Sequence, residues 1–211
     1  MSTLASMAAA APLTAAWGAH ALYMRHCLTV ARRDPLTGLP TRAVFTTKAQ
    51  RMVANPAAVV LLIDLDGFKA LNDSRGHAAG DAALIAVADR LTAWTGSRGI
   101  AGRLGGDEFA AVITATSNLR SDLRRLHVWL TQPVPYPGGR LRIGASIGAM
   151  PVAHLPVPDL SAALRRADES MYDVKAVGGG GLIAHGAAPV HATVTGRRAG
   201  RDGTTHSEGT R

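Results

Sequence analysis

The stretch from Arg103 to Phe109 reads RLGGDEF and places two carboxylates directly after two glycines. Short apolar segments flank it on both sides, which is typical of a β-hairpin. Gly105 and Gly106 permit the positive φ of a tight turn, and without Cβ atoms they let a bulky anion approach the backbone. Asp107 and Glu108 would project from this turn, where a divalent cation can bridge carboxylates to phosphate oxygens. An isolated pattern of this kind also fits an ordinary solvated loop, so its meaning depends on the rest of the chain.

A second acidic cluster lies upstream, at the end of an apolar run. Residues 59–64 read VVLLID, which predicts a buried strand that delivers Asp64 at its tip. Asp66 lies two residues further along and would share a strand face with Asp64. If the hairpin runs alongside, Asp107 would complete a cage of carboxylates, and the repulsion within such a cage favours a bound cation. For Asp66, a role as the cap of the following helix is an equally good interpretation.

Five separated motifs carry a family resemblance. They read DPLTGLPTR, DLDGFKALND, GHAAGD, RLGGDEF and ADESMYDVK, and they occupy residues 34–42, 64–73, 76–81, 103–109 and 167–175. In this order and at this spacing they resemble the GGDEF domain of diguanylate cyclases, over residues 30 to 183 of the chain. The resemblance implies the ferredoxin-like palm that this family shares with the catalytic domains of adenylyl cyclases.

The resemblance also implies roles for individual residues. Asp64 and Asp107 would hold Mg²⁺ on the phosphates of GTP, with help from the backbone carbonyl of Leu65. Glu108 would lie near the ribose 3′ hydroxyl, where it would accept the proton or hold a second metal ion. Lys69 would act in catalysis by neutralising charge that develops on phosphate. The implied substrate-binding set comprises Phe68, Asn72, Asp81, Gly105, Gly106 and Lys175.

Base recognition is assigned to Asn72 and Asp81 by the same resemblance. A carboxylate accepts hydrogen bonds from N1 and N2 of guanine, whereas adenine offers no such pair of donors. Lys175 matches a position near phosphate. Lysine is scarce in this chain: of its 23 Lys and Arg residues, only Lys48, Lys69 and Lys175 are lysine.

The implied reaction joins two GTP molecules into cyclic di-GMP and releases two pyrophosphates, with Mg²⁺ as the cofactor. Each domain would present one nucleotide, so turnover implies a homodimer with two-fold symmetry. Two departures from the family leave a second interpretation open. The Arg and Asp of the usual product-inhibition motif fall on Gly96 and Gly99, and Gly179 replaces the usual phosphate-binding Arg. The alternative is a catalytically weak domain that binds GTP as a regulatory module.

Composition bounds the remaining possibilities. The chain has 211 residues, of which 47% are apolar and 18% are charged, as expected for one globular domain with tails. The formal net charge is +8, but only 4% of residues are aromatic and no dense basic stripe occurs, so nucleic acid is not an expected partner. The single cysteine, Cys27, cannot form an internal disulfide, which favours the cytoplasm.

We predict three segments. Residues 1–33 would form an N-terminal helix, which is either a dimerisation stalk or a membrane anchor. The anchor remains open because residues 1–24 contain no charged side chain if His20 is neutral, and that length suffices to cross a bilayer. Residues 34–183 would form the catalytic domain, and residues 184–211 a disordered basic tail.

Periodicity within the domain predicts an α/β sandwich. The apolar spacing favours helices at residues 42–53, 68–72, 81–94, 118–130 and 158–177. Strands are expected at residues 59–64 and 140–150, and a hairpin at residues 100–115. Helices interleaved with hairpins indicate a mostly antiparallel central sheet flanked by helices.

Overall fold

The computed structural model describes residues 32–184 and, outside that range, Trp17 alone. Its helices are α1 (Arg42–Met52), α2 (Phe68–Arg75), α3 (His77–Thr95), α4 (Leu119–Leu130) and α5 (Leu160–Ala176). Its strands are β1 (Ala58–Asp66), β2 (Gly99–Gly105), β3 (Glu108–Thr114), β4 (Val134–Tyr136), β5 (Gly139–Leu141), β6 (Gly144–Pro151) and β7 (Gly180–Ile183). Apart from Trp17, the predicted N-terminal helix up to residue 31 and the predicted tail beyond residue 184 lie outside the described residues. No helix in the described part of the chain has the length and apolar character needed to span a membrane.

Five strands form the central sheet in the order β2-β3-β1-β6-β7. Every neighbouring pair is antiparallel except β6 and β7, which run parallel. Helices flank this sheet, so the predicted α/β class with a mostly antiparallel sheet is confirmed. The strands β4 and β5 form a separate two-stranded ribbon.

Strand β1 lies at the centre of the sheet and is buried on both faces. Its odd-numbered apolar residues, from Val59 to Leu65, pack in one core layer with α3 and α4. Its even-numbered residues Val60 and Leu62 pack in the other layer with α1 and α5. Because alternate residues of a strand point to opposite faces, a strand covered on both sides must be apolar throughout. This explains the continuous run VVLLI, which ends where Asp64 reaches the edge of the core.

One predicted strand had the wrong boundaries, and one strand was missed. The segment at residues 140–150 is not one strand, because it is divided between β5 in the small ribbon and β6 in the central sheet. Strand β7 was not predicted at all, since its sequence GGLI resembles the start of a flexible tail. It is a strand because its backbone pairs with β6 from Ser146 to Ala149.

Helix α5 lies unusually close to strand β6. A Cβ atom at Gly148 would lie 1.8 Å from the carbonyl oxygen of Ala167 and 2.6 Å from the amide nitrogen of Met171. Both contacts are far below van der Waals distance, so only glycine fits at this crossing. The close packing fixes the position of α5 against the sheet and, with it, the position of Lys175 in its last turn.

Candidate active site

A cleft of about 810 Å³ opens where β1 ends, where the β2–β3 hairpin turns and where α2 begins. The last turn of α5 closes one side of it. All twelve residues that line it belong to three of the sequence motifs, those at residues 64–73, 103–109 and 167–175. The lining residues are Asp64, Leu65, Gly67, Phe68, Lys69, Ala70, Asp73, Gly105, Gly106, Asp107, Glu108 and Lys175.

Asp64 and Lys175 meet in this cleft. The Asp64 carboxylate is 4% exposed and lies near the end of the central strand. The Nζ atom of Lys175 donates a hydrogen bond to Asp64 Oδ1 at 2.6 Å. A charge-assisted hydrogen bond of this length holds the ammonium group at the carboxylate that was predicted to bind metal.

Asp107 is electrostatically coupled to the same pair. Burial raises the pKa of Asp107 above its usual value, and the negative charge of Asp64 raises this pKa further. The positive charge of Lys175 opposes both effects. The hairpin therefore brings Asp107 within electrostatic range of Asp64, and the site contains negative charge that a cation would stabilise.

Glu108 faces the cleft from the first position of β3. It pairs with Asp64 in the register between β3 and β1, so both side chains lie on the same face of the sheet. Arg42 at the start of α1 lies 3.7 Å from the Glu108 carboxylate and donates from Nε to the carbonyl oxygen of Leu104 at 3.1 Å. Arg42 thus connects α1 to both sides of the hairpin turn.

The turn itself requires its two glycines. Gly105 has φ 144° and Gly106 has φ 54°, which are values that residues with a Cβ rarely adopt. The pairing of β2 with β3 shifts register between Arg103 and Gly105, so a bulge tightens the turn. Within residues 32–184, apart from the adjoining residues in the chain, no atom lies within 4 Å of the position that a Cβ would take at either glycine. The inner edge of the turn is therefore open to an anion.

Sequence reasoning missed the residues that brace this turn. The Arg103 guanidinium donates to the Gly106 carbonyl oxygen from Nε at 3.0 Å and from NH2 at 2.8 Å. Its NH1 group also donates to both oxygens of Asp34, at 2.9 and 3.1 Å. Asp34 in turn accepts hydrogen bonds from the amide and the hydroxyl of Thr37. The only sequence signal was the motif DPLTGLPTR, whose spacing does not reveal a partner 69 residues away.

The comparison with protein families agrees with this geometry. A family model described as "Diguanylate cyclase, GGDEF domain" matches residues 31–180. The chain belongs to the GGDEF family. The match covers every element that lines the cleft.

Named relatives support the same assignment. An uncharacterized 19.3 kDa protein in the repSA 5′ region of Streptomyces ambofaciens is 53% identical over 161 residues, which cover 75% of this chain and 86% of that protein. Diguanylate cyclase DgcN of Escherichia coli K12 is 38% identical over 158 residues, which cover 70% of this chain but only 38% of DgcN. This chain therefore spans less than half of that cyclase. The coiled coil and GGDEF domain of DgcB from Caulobacter crescentus, solved in complex with c-di-GMP, has the same fold, with a TM-score of 0.74 at 23% identity over 84% of this chain and 98% of that one.

In this GGDEF domain, Asn72 and Asp81 lie apart from the main cleft, since neither belongs to its lining. The Oδ1 atom of Asn72 is buried and has no hydrogen-bond partner within residues 32–184. It packs against Gly80, where a Cβ atom would lie 2.0 Å from Asn72 Oδ1 and 3.1 Å from Phe68. Asp81 is the next residue of α3 and is exposed. Phe68 and Asn72 of α2 therefore pack on Gly80 of α3, one residue before the exposed Asp81.

Asp66 does not cap the following helix. The residue before α2 is Gly67, and α2 has no side-chain cap. Instead, the hydroxyl of Ser146 donates to Asp66 Oδ1 at 2.8 Å. Asp66 is also absent from the lining of the cleft. The capping interpretation was therefore wrong, and Asp66 connects β1 to β6.

At both places where the sequence departs from the family, the local backbone conformation or packing favours glycine. Gly96 has φ 49° and ψ −136°, and a Cβ atom at Gly99 would lie 2.0 Å from the carbonyl oxygen of Val112. Arg98 lies between them, but its guanidinium stacks on Trp94 and pairs with Asp122 at 3.8 Å. Gly179 has φ 97°, so the position of the usual arginine also favours glycine.

The carboxylates of the cleft suit a metal ion that is bound by protein side chains and by substrate phosphates together. Within residues 32–184 no group of three or more His, Cys, Asp or Glu side chains is arranged to hold a metal ion. Asp64 and Asp107 supply two of the carboxylates that line the cleft. Mg²⁺ commonly binds through one or two carboxylates together with substrate phosphates, and two acids that repel each other fit that role.

Proposed function

We propose that the protein is a diguanylate cyclase, which condenses two GTP molecules into cyclic di-GMP and two pyrophosphates. The observation that supports this most strongly is the convergence of Asp64, Asp107 and Lys175 in one cleft from three distant stretches of the chain. Membership of the GGDEF family gives the reaction class, and the cleft supplies the charges that phosphoryl transfer requires.

Mg²⁺ is the cofactor that the carboxylates would hold. Asp64 and Asp107 are its proposed side-chain ligands, and the Leu65 carbonyl is the proposed backbone ligand. When bound there, the ion would neutralise phosphate charge and help to orient the reacting groups. Lys175 would then interact with both Asp64 and the phosphates, because its ammonium group already lies beside Asp64 in the cleft.

The chemical step is an attack by a ribose 3′ oxygen on the α-phosphorus of the second GTP. A new P–O bond forms as the bond to pyrophosphate breaks, and the 3′ hydroxyl proton passes to a base. Glu108 is our candidate for that base, since it faces the cleft and Arg42 orients its carboxylate. Lys69 lines the same cleft and would stabilise charge on the phosphates.

Guanine recognition is proposed for the group where α2 meets α3. The buried Oδ1 of Asn72, which has no hydrogen-bond partner within residues 32–184, can accept a hydrogen bond from the base, and Asp81, the residue after Gly80, would supply a second acceptor. Phe68 provides an apolar surface that lies between this group and the cleft. Gly105 and Gly106 would allow the phosphates to lie against the turn.

Turnover requires two domains, because each cleft presents one nucleotide and the product contains two. We therefore propose a homodimer that brings two clefts face to face with two-fold symmetry. The two 3′ oxygens and the two α-phosphates would then form both bonds of the cyclic product. GTP and the absence of a possible internal disulfide support the cytoplasm as the place of this reaction.

A second candidate is a GTP-binding regulatory module with little catalysis. Gly179 favours it, because the family's arginine at this position would add a guanidinium contact to phosphate. Mass analysis of the purified full chain with GTP and Mg²⁺ separates the two candidates. Cyclic di-GMP with release of two pyrophosphates supports the cyclase. GTP binding by a folded, dimeric sample without any cyclic product would establish the regulatory module instead.

A further inference from the structure

A basic groove of about 520 Å³ lies between the segment that leads into the domain and the outer face of α1. Four cations surround it: Arg32 and Arg33 from the segment, and Lys48 and Arg51 from the helix. All four residues are exposed. Pro40 and Val44 form part of an apolar floor between them. This groove shares no residue with the nucleotide cleft.

Among residues 32–184, no acidic side chain neutralises the charge of the groove. Its lining contains no carboxylate, and helix α1 has no acidic residue in its sequence RAVFTTKAQRM. Within residues 32–184, Lys48 and Arg51 take part in none of the side-chain hydrogen bonds or ion pairs. Arg33 donates from NH1 to the carbonyl oxygen of Gly38 at 2.6 Å, which leaves its full positive charge in place. Four like charges around one groove favour an anionic ligand.

The chemistry of the lining distinguishes between anions. In the part of the chain that the structure describes, the lining contains no aromatic ring on which a base could stack and no amide or carboxylate side chain that could read a base edge. A nucleotide would therefore be held by its phosphates alone. A lipid headgroup needs only cations for its phosphate and an apolar surface for its glycerol and acyl parts, and the groove offers both.

The position of the groove in the sequence also favours a lipid surface as the ligand. Residues 1–24 contain no Asp, Glu, Lys or Arg, and the next basic residues are Arg25, Arg32 and Arg33. Lys and Arg side chains that lie close to a bilayer surface are attracted to its anionic lipids. We infer that the groove of Arg32, Arg33, Lys48 and Arg51 docks the domain on an anionic bilayer by binding lipid phosphates. This inference is independent of the proposed cyclase reaction.

Sedimentation with vesicles tests the inference on the full chain. One set of vesicles contains phosphatidylcholine alone, and the other contains phosphatidylcholine and phosphatidylglycerol at a ratio of about 70 to 30. The test variant is Lys48→Glu with Arg51→Glu. The matched control is Arg120→Glu with Arg124→Glu on α4, which changes the net charge equally at exposed positions outside the groove. Circular dichroism checks that both variants keep the fold.

We expect binding to the anionic vesicles to exceed binding to the neutral vesicles by at least about tenfold at low salt. The groove variant should lose most of that preference, and the control should keep it. Equal loss in both variants would overturn the inference, because net charge alone would then explain the attraction. Equal binding to both kinds of vesicle, or none to either, would overturn it as well.

A calorimetric titration separates lipid phosphate from a soluble source. Inorganic tripolyphosphate is added to the full chain without vesicles and without Mg²⁺. Weak binding that is equal in the wild type and in the groove variant supports the bilayer as the partner. Micromolar binding that disappears in the groove variant assigns the groove to a soluble polyphosphate and contradicts the lipid proposal.

Discussion

Lys175 and Asp64 are 111 residues apart in the sequence, yet the lysine ammonium lies 2.6 Å from the aspartate carboxylate. The pair exists because α5 packs on β6 at Gly148 and so carries its last turn to the end of the neighbouring strand β1. Burial and the charge of Asp64 raise the pKa of Asp107, and the positive charge of Lys175 partly offsets that rise. The positive charge of one lysine therefore interacts favourably with both carboxylates that we propose as metal ligands.

Replacing this lysine should weaken turnover and shift its pH dependence. We expect Lys175→Met to reduce kcat/KM for GTP by about a hundredfold, because the variant lacks the charge that we propose contacts phosphate. Without Lys175 the pKa of Asp107 rises, so the acidic limb of the pH profile should move to higher pH. Steady-state kinetics across a pH series measures both effects. Lys48→Met is the control, and an unchanged profile in Lys175→Met would show that the lysine does not act on the site.

The ionised Asp107 side chain should lower the stability of the metal-free fold while being required for turnover. Because burial and Asp64 raise its pKa, the fold disfavours the ionised form of Asp107, and wild-type stability should rise as pH falls through that pKa. Asp107→Asn removes this cost at neutral pH, so the metal-free variant should melt at the same temperature as the wild type or higher. Its stabilisation by Mg²⁺ and a non-hydrolysable GTP analogue should be much smaller, and its turnover should vanish. Thermal melts with and without Mg²⁺ provide the measurement, with Asp89→Asn as an exposed control. Full activity in Asp107→Asn would remove this residue from the metal site.

The sequence reveals those features whose signal is local. The run VVLLID predicts β1 because a central strand is apolar on both faces, and RLGGDEF predicts a hairpin because its glycines must adopt positive φ. Contacts between distant segments have no such signal. The bracing of the turn by Asp34 and Arg103, and the contact of Arg42 with Glu108, depend on the tertiary fold. Strand β7 escapes prediction for the same reason, because its glycines form a strand only through their pairing with β6.

Because Asp34 holds the hairpin turn through Arg103, the free energy of unfolding should depend on pH. Burial alone would raise the pKa of Asp34, but hydrogen bonds from Thr37 and Arg103 and the charge of Arg103 together hold it below its ordinary value of 3.8. A lowered carboxyl pKa stabilises the fold above that ordinary value, and the contribution is lost as pH falls through the lower, folded-state pKa. Asp34→Asn should therefore cost about 1–3 kcal/mol at pH 7 and progressively less in acid.

Urea unfolding at pH 7 and at several acidic values measures this difference. Asp89→Asn again serves as the control, because Asp89 is an exposed carboxylate on α3. A constant difference between wild type and Asp34→Asn at every pH would show that the ionised carboxylate is not what stabilises the turn.

Gly80 should determine how well the site distinguishes guanine. A Cβ atom at this position collides with Asn72 Oδ1 at 2.0 Å and approaches Phe68 at 3.1 Å. Gly80→Ala should therefore displace the Asn72 amide and reduce the preference for GTP over ITP, which lacks the 2-amino group, by about tenfold. It should also fail to gain the stability of about 1 kcal/mol that alanine normally brings to a helix. Calorimetric binding of both nucleotides and a melting curve test these points. Ala78→Gly is the control for helix propensity, and an unchanged GTP to ITP ratio in Gly80→Ala would show that Asn72 does not read the base.

Restoring the family's product-inhibition motif should damage the fold instead of creating an inhibitory site. Gly96→Arg places a side chain at φ 49°, and Gly99→Asp drives a Cβ atom to within 2.0 Å of the Val112 carbonyl on the neighbouring strand. Backbone cannot yield as a side-chain end can, so the Gly99 substitution should cost about 1–3 kcal/mol or more. The double variant should unfold at lower urea than the wild type, and cyclic di-GMP added at high concentration should protect it no better. Ser97→Ala, between the two glycines, is the matched control. A double variant that is stable and strongly inhibited by product would show that the β2 entry can rearrange, and that glycine there is not required by the backbone.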